Sequence, residues 1–199
     1  DVDNLLGSGP FKVTEWVPND HYTLVRNDNY WGEMPIATSI TCRVIPEGSA
    51  RTIALEAGEI DVVWSVDPTD CANVESNPDV KLLSQPSTGI DYVGMNTQKE
   101  KFSDKRVRQA INYALDKQTF VDTIIEGRGL VANSYINAAI PGWTDEVEAY
   151  PYDPEKAKEL LAEAGYPDGF ECSIFVNGDL RTRSAQILQA QLADVGIKV

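Results

Sequence analysis

The sequence predicts a mixed fold, α/β or α+β, and three observations carry that reading. Apolar residues alternate with a period of two through much of the first third. Stripes with helical spacing dominate the second half. No internal repeat or low-complexity linker interrupts the mixture.

Taken in order, residues 11–16 alternate apolar and polar, as a half-buried strand does. Pro18-Asn19-Asp20 is a turn signal, and residues 22–25 complete a hairpin. A polar, aromatic loop follows over 27–35, then a third strand over 39–45. Ala50, Ile53, Ala54 and Ala57 lie at helical spacing, and Gly58 stops that helix. Residues 60–64 read as a short buried strand. Asp67-Pro68 opens another helix, which Asn77-Pro78-Asp79 breaks. Strands are expected over 80–84 and 90–95.

Beyond Gly89 the composition turns helical. Val107, Ala110, Ile111, Ala114 and Leu115 form a clean apolar stripe, with Ser103 as the expected N-cap. A helix is expected over 118–126, then a long ordered loop over 128–152. Asp153-Pro154 starts a helix that buries Ala157, Leu160, Leu161 and Ala164 and stops at Gly165. A strand over 171–176, a turn at Asn177-Gly178 and a helix over 184–194 complete the pattern. The chain opens at Asp1 without a methionine and closes in the apolar run Ile197-Lys198-Val199. An internal stretch of a longer protein is therefore expected.

With 42% hydrophobic and 24% charged residues, the 199-residue composition is that of a globular protein. No stretch approaches the roughly 18 apolar residues a membrane span requires. The net charge of −14 repels phosphate backbones and anionic membrane surfaces, so no nucleic-acid partner is expected. Cys42, Cys71 and Cys172 have no zinc-ligand spacing and read as small apolar residues, with one bridge plus a free thiol as the alternative. No cofactor or metal site is expected.

Catalytic sets are sparse. The one histidine, His21, sits at a turn and reads as a surface polar residue. Gly7-Ser8-Gly9 lacks the Gly-Lys-Ser/Thr of a phosphate loop, and Pro10 removes an N–H that such a loop would use. With 31 Asp and Glu, some acid pair is always available, so an acid-pair hydrolase gains nothing specific from composition. The basic run 99–108 reads as the solvated start of a helix. Four tryptophans and eight tyrosines suit binding, since they combine flat apolar area with a polar handle. Trp64, followed by Ser65, is placed at the end of an expected strand, where open α/β sheets bind ligands.

Several runs then match a known pattern in order. Gly7-Ser8-Gly9-Pro10-Phe11 with Glu15-Trp16 resembles GTGPY…EW, and Arg26-Asn27-Asp28-Asn29-Tyr30-Trp31-Gly32 resembles RNPxYWG. Ala50-Arg51-Thr52-Ile53-Ala54-Leu55-Glu56-Ala57-Gly58-Glu59-Ile60-Asp61 resembles A-x-x-x-A-L-x-x-G-E-I-D. Gly94-Met95-Asn96 resembles GFN, and Phe102-Ser103-Asp104-Lys105-Arg106-Val107-Arg108-Gln109-Ala110 resembles PF-x-D-x-RVRQA. Ala114-Leu115-Asp116-Lys117 resembles A-I-D-R, and the run from Tyr152-Asp153-Pro154-Glu155-Lys156-Ala157 to Ala164-Gly165-Tyr166 resembles YDPEKAK-x-LL-x-EAGY. Phe11, Met95 and Glu100-Lys101 depart from the usual tyrosine, phenylalanine and proline pair. The sequence thus resembles the oligopeptide- and dipeptide-binding proteins of ABC importers, the family 5 solute-binding proteins.

The resemblance implies an α/β fragment of a two-lobed periplasmic-binding-protein fold (type II, a flytrap), with mixed sheets flanked by helices. Residues 1–88 would belong to the first lobe. Residues 89–199 would form a hinge-crossing strand and part of the second. The implied function is binding short peptides in an interlobe cleft for import, not catalysis. Nickel chelate, haem, an oligosaccharide or an opine are the alternative ligands. The implied partners are a peptide and the transporter's membrane permease subunits. The implied location is extracytoplasmic: the periplasm, or a cell-surface lipoprotein. The expected cleft residues are Trp64 and Ser65, then Gly89, Ile90, Asp91, Tyr92 and Asn96. An extended peptide can be held by main-chain bonds along such an exposed strand. Asp91 is a candidate partner for a ligand amine.

Overall fold

The computed structural model describes residues 5–199. The chain divides into two compact units, one running to Lys81 and the other spanning Leu82–Val199.

In the first unit, β1 (Phe11–Val17), β2 (His21–Arg26) and β3 (Ser39–Arg43) form an antiparallel sheet in the order β1-β2-β3. The tight turn after Val17 passes through Asn19 at φ 63, a conformation asparagine tolerates better than most residues. The register sets Trp16 against Tyr22 and Tyr22 against Cys42, with Leu24 between Val13 and Ile40. Directly paired residues share a face, so one side of the sheet is apolar. The other side carries Glu15, His21, Thr23, Thr41 and Arg43. A bulge between Val13 and Glu15 restores this alternation on β1. Buried Asn27 fastens the loop after β2: its N–H donates to Pro10 O at 2.8 Å and its side-chain amide to Gly9 O at 3.3 Å.

The helices of this unit are α1 (Gly48–Glu56) and α2 (Pro68–Ser76), which bury Ala54, Cys71 and Val74. Gly58 lies at φ 71, and the N–H groups of Gly58 and Glu59 cap the Leu55 and Ala54 carbonyls.

The second unit is helical around one core. Its elements are α3 (Glu100–Ser103), α4 (Lys105–Tyr113), α5 (Lys117–Ile124), α6 (Pro154–Glu163), β4 (Phe170–Glu171), α7 (Asp179–Ala193) and β5 (Ile197–Lys198). The expected α4 stripe is buried: Val107, Ala110, Ile111 and Ala114 pack with Ala157 and Leu161 of α6 and Leu188 and Leu192 of α7. β4 and β5 pair in parallel.

Several boundaries differ from expectation. The N-cap of α4 is Asp104, whose carboxylate accepts from Arg106 N at 2.8 Å; Ser103 instead ends α3. A carboxylate outcompetes a hydroxyl there because it faces the positive helix end and the Arg106 guanidinium. That guanidinium also holds the Asp104 carboxyl below its ordinary range. α7 begins at Asp179, ahead of the expected residue 184, and within it the Thr182 and Ser184 hydroxyls donate to the Gly178 and Leu180 carbonyls.

The strands expected over 60–64, 80–84 and 90–95 are extended or irregular but belong to no ladder among the described residues. The strand expected over 171–176 is cut back to β4. Apolar alternation sets a strand's faces, but a ladder also requires a neighbour with free N–H and C=O groups. Among the described residues no disulfide joins the cysteines; Cys71 is buried and its thiol donates to Asp67 O at 3.4 Å, and Cys42 and Cys172 are half-buried.

Candidate ligand-binding surfaces

In the first unit, Trp64 follows α1 and is 90% exposed, so it does not end a buried strand as expected. Ser65 beside it sits at φ 65, which costs a non-glycine residue about 1–3 kcal/mol. Arg51 of α1 holds this segment in place. Its guanidinium donates to Ile45 O at 3.0 Å, Pro46 O at 2.9 Å and Ser65 O at 3.3 Å. One helix-borne cation thus gathers three loop carbonyls, and the indole next to them faces solvent.

In the second unit, residues 89–96 form no regular secondary structure. Gly89 N donates to Ser87 Oγ at 2.9 Å, and Gly89 O accepts from Asn137 Nδ2 at 3.4 Å. Among the described residues, Ile90 through Met95 form no backbone hydrogen bond. Ile90 is half-buried, whereas Asp91 and Tyr92 are exposed. The Tyr92 ring meets Tyr135 edge-on, with centroids 5.2 Å apart. The Tyr92 hydroxyl holds the Tyr135 phenol above its ordinary pKa. Asp91 Oδ1 lies 3.4 Å from Arg181 Nη2 in the first turn of α7, and Arg181 Nη1 donates to Asn177 Oδ1 at 3.2 Å. Asn96 stands apart from this group: its side chain accepts from Gln98 N at 3.0 Å and its carbonyl from Lys99 N at 3.0 Å, which turns the chain into α3.

The structure therefore brings Gly89, Asp91 and Tyr92 together with Tyr135, Asn137 and Arg181. The last three were not anticipated. Tyr135 and Asn137 lie in the aperiodic stretch 128–152, and Arg181 precedes the expected start of its helix. Two shallow depressions, of about 340 and 310 Å³, lie along α7 and between Met95 and α4. Neither is lined by an expected cleft residue. Among the described residues, no group of three or more His, Cys, Asp or Glu could hold a metal ion. No described helix is long and apolar enough to cross a membrane.

The family model of the bacterial extracellular solute-binding proteins, family 5, middle region, matches residues 1–199. The chain belongs to this family. Among curated family 5 members, it is 35% identical to heme-binding protein A of Haemophilus influenzae, over 97% of this chain and 36% of that protein. It is 32% identical to the dipeptide-binding protein of Escherichia coli, over 98% of this chain and 38% of that protein. Among solved structures, it matches the ABC transporter-associated periplasmic binding protein DppA of Helicobacter pylori, in complex with the peptide STSA. That match has a TM-score of 0.86 and 32% identity, over 97% of this chain and 38% of DppA. The chain thus spans little more than a third of these family 5 relatives. Its fold is a part of the α/β periplasmic-binding-protein fold that the ordered motifs point to.

Proposed function

We propose that this chain is part of an extracytoplasmic substrate-binding component of an ABC transporter, and that its ligand is a short peptide. Residues 1–88 are assigned to one lobe, and 89–199 to the crossing strand and part of the second. The observation that carries the reading is the segment 89–92, exposed except at half-buried Ile90, which opens the run 90–95 without backbone hydrogen bonds beside a tyrosine pair. An extended peptide adds to such an edge through main-chain hydrogen bonds, which give affinity without reading sequence. Tyr92 and Tyr135 supply flat surface for side chains of varied shape. Trp64 and Ser65 form the candidate surface of the first unit. The peptide-bound DppA and the dipeptide-binding relative support the same ligand class.

The proposed partners are membrane permease subunits, and the proposed location is the periplasm or the outer cell surface as a lipoprotein. The proposed role is delivery of ligand without turnover. The test is calorimetric titration of the full-length protein with di- to pentapeptides. Saturable binding is expected, and failure to bind any of them sinks the peptide reading. A second reading, a haem ligand on the same fold, is favoured by the 35% identity to heme-binding protein A. Titration with hemin separates the two.

A further inference from the structure

We infer that Arg51 is a positioning residue for the ligand surface of the first unit. By holding the Ser65 carbonyl it keeps Ser65 left-handed, and so fixes the direction in which the Trp64 indole is presented. This deepens the reading of Trp64 and Ser65 as a ligand surface and rests on it.

Three observations carry it. First, the segment between Gly58 and α2 has a half-buried set, Ile60, Val63 and Val66, and an outward set, with Val62 78% and Trp64 90% exposed. An indole that far out has little packing to orient it, so the backbone beneath sets its direction. Second, that backbone turns at Ser65 with φ 65, a conformation that a side chain of L configuration resists. Such a residue persists where its surroundings over-determine it. Third, Arg51 supplies that constraint. Its Nη2 donates to Ser65 O at 3.3 Å and lies 3.9 Å from Asp67 Oδ1, while Nη1 donates to Ile45 O at 3.0 Å and Pro46 O at 2.9 Å. Its Nε is buried without a hydrogen-bond partner among the described residues, so the two Nη groups make every bond that holds the loops. The Asp67 carboxylate is wedged against Gly48 at the start of α1, where an added Cβ would overlap Asp67 Oδ2. The chain is therefore pinned to the first turn of α1 on either side of Val66, and the indole stands just ahead of the pins. A ring already fixed in its bound direction loses less freedom when ligand arrives. Lysine, with one nitrogen, cannot reproduce the fork.

The test uses the full-length protein labelled with fluorotryptophan, with the Trp64 fluorine resonance assigned through Trp64→Phe. Without ligand, that resonance should be single and sharp in the wild type. Arg51→Gln should shift or broaden it, and Arg51→Lys should do so less. Ser65→Val should act like Arg51→Gln with the guanidinium intact, because a β-branched residue resists positive φ. Ser65→Gly added to Arg51→Gln should restore the resonance in part, since glycine adopts positive φ unaided. A general loss of structure would not be rescued in this way. If Arg51→Gln does not fold, Ser65→Val makes the same comparison. Affinity is read with Ala-Phe, Ala-Phe-Ala and hemin. For the probe that binds best, Trp64→Ala should weaken binding about tenfold, and Arg51→Gln and Ser65→Val about three- to tenfold. Adding Ser65→Gly to Arg51→Gln should recover part of that loss. An unmoved resonance in Arg51→Gln overturns the positioning role. So does full affinity in Arg51→Gln while Trp64→Ala is weakened, and the Trp64 surface then still stands. Full affinity in Trp64→Ala removes the surface reading and this inference with it. If no probe binds, the ligand reading and the inference fall together.

Discussion

Gly165 and Gly169 flank the same turn, and alanine at each position should reveal two different costs. Both have left-handed backbones, at φ 91 and φ 75. At Gly165, which closes α6, an added Cβ meets nothing within 4 Å. Its N–H caps Ala162 O at 3.0 Å, and Tyr166 N caps Leu161 O at 2.8 Å, so the backbone must keep this conformation. Gly165→Ala should therefore cost only the conformational penalty, about 1–2 kcal/mol. At Gly169, an added Cβ would lie 1.9 Å from Gly196 O and 2.2 Å from Gly196 C. Backbone cannot yield as a side-chain tip does, so β4 must shift away from β5. Overpacking adds about 1–3 kcal/mol, for a total of about 2–5. The local readout is amide exchange at Cys172, whose N–H donates to Lys198 O at 2.8 Å just beyond the pair. In the full-length protein, Gly169→Ala should lower protection there by about fivefold to a hundredfold relative to Gly165→Ala. Equal losses in the two variants, or unchanged protection at Cys172, would refute the backbone-contact argument.

Asp116→Ala should destabilise the second unit by about 0.5–2 kcal/mol in urea melts, because Asp116 caps α5 through the N–H groups of Gln118 and Thr119. An effect below a few tenths would mean that water replaces the cap. Leu161→Ala, at 1% exposure amid α4, α6 and α7, should cost about 2–5 kcal/mol. Hydrogen bonds to Asp20 at 2.6 Å and then Glu15 at 3.2 Å raise the His21 pKa. A raised folded value means His21 stabilises fully below its ordinary value of about 6.5 and loses that contribution as pH rises through the folded value. The melting-temperature difference between wild type and His21→Gln should shrink from pH 6 to 8.5, and a difference that grows would reverse the sign.

What was legible in the sequence is what local chemistry decides. The α4 stripe and the Asp153-Pro154 start of α6 follow from side-chain spacing and cap preferences within one turn. The β1–β2 hairpin follows from a short turn between alternating runs. The strands expected at 60–64 and 90–95 failed as ladders because their partners are not set by neighbouring residues. The apolar neighbours of Trp64 resemble a core strand and so place it at a buried strand end, yet its indole faces solvent. The unexpected part of the candidate site has a similar cause. Arg181 and Asp91 are 90 positions apart, and nothing in either local sequence announces the other. Family motifs supplied the strand, and only the folded chain brought the cation to it.

The two-sided sheet of the first unit has a consequence for biogenesis. β1 and β2 are joined by a tight turn, so they can pair on the timescale of hairpin formation, within about 1–10 μs, and β3 follows across the loop 27–38. Trp16, Tyr22 and Ile40 then line an apolar plane that this unit by itself leaves substantially open. The local meander ripens before any long-range contact can shelter it. Its fate becomes a race between first-order burial within one molecule and second-order sticking between two. The yield of native protein should therefore depend on how many nascent chains share the compartment at once, independently of the final stability of the fold.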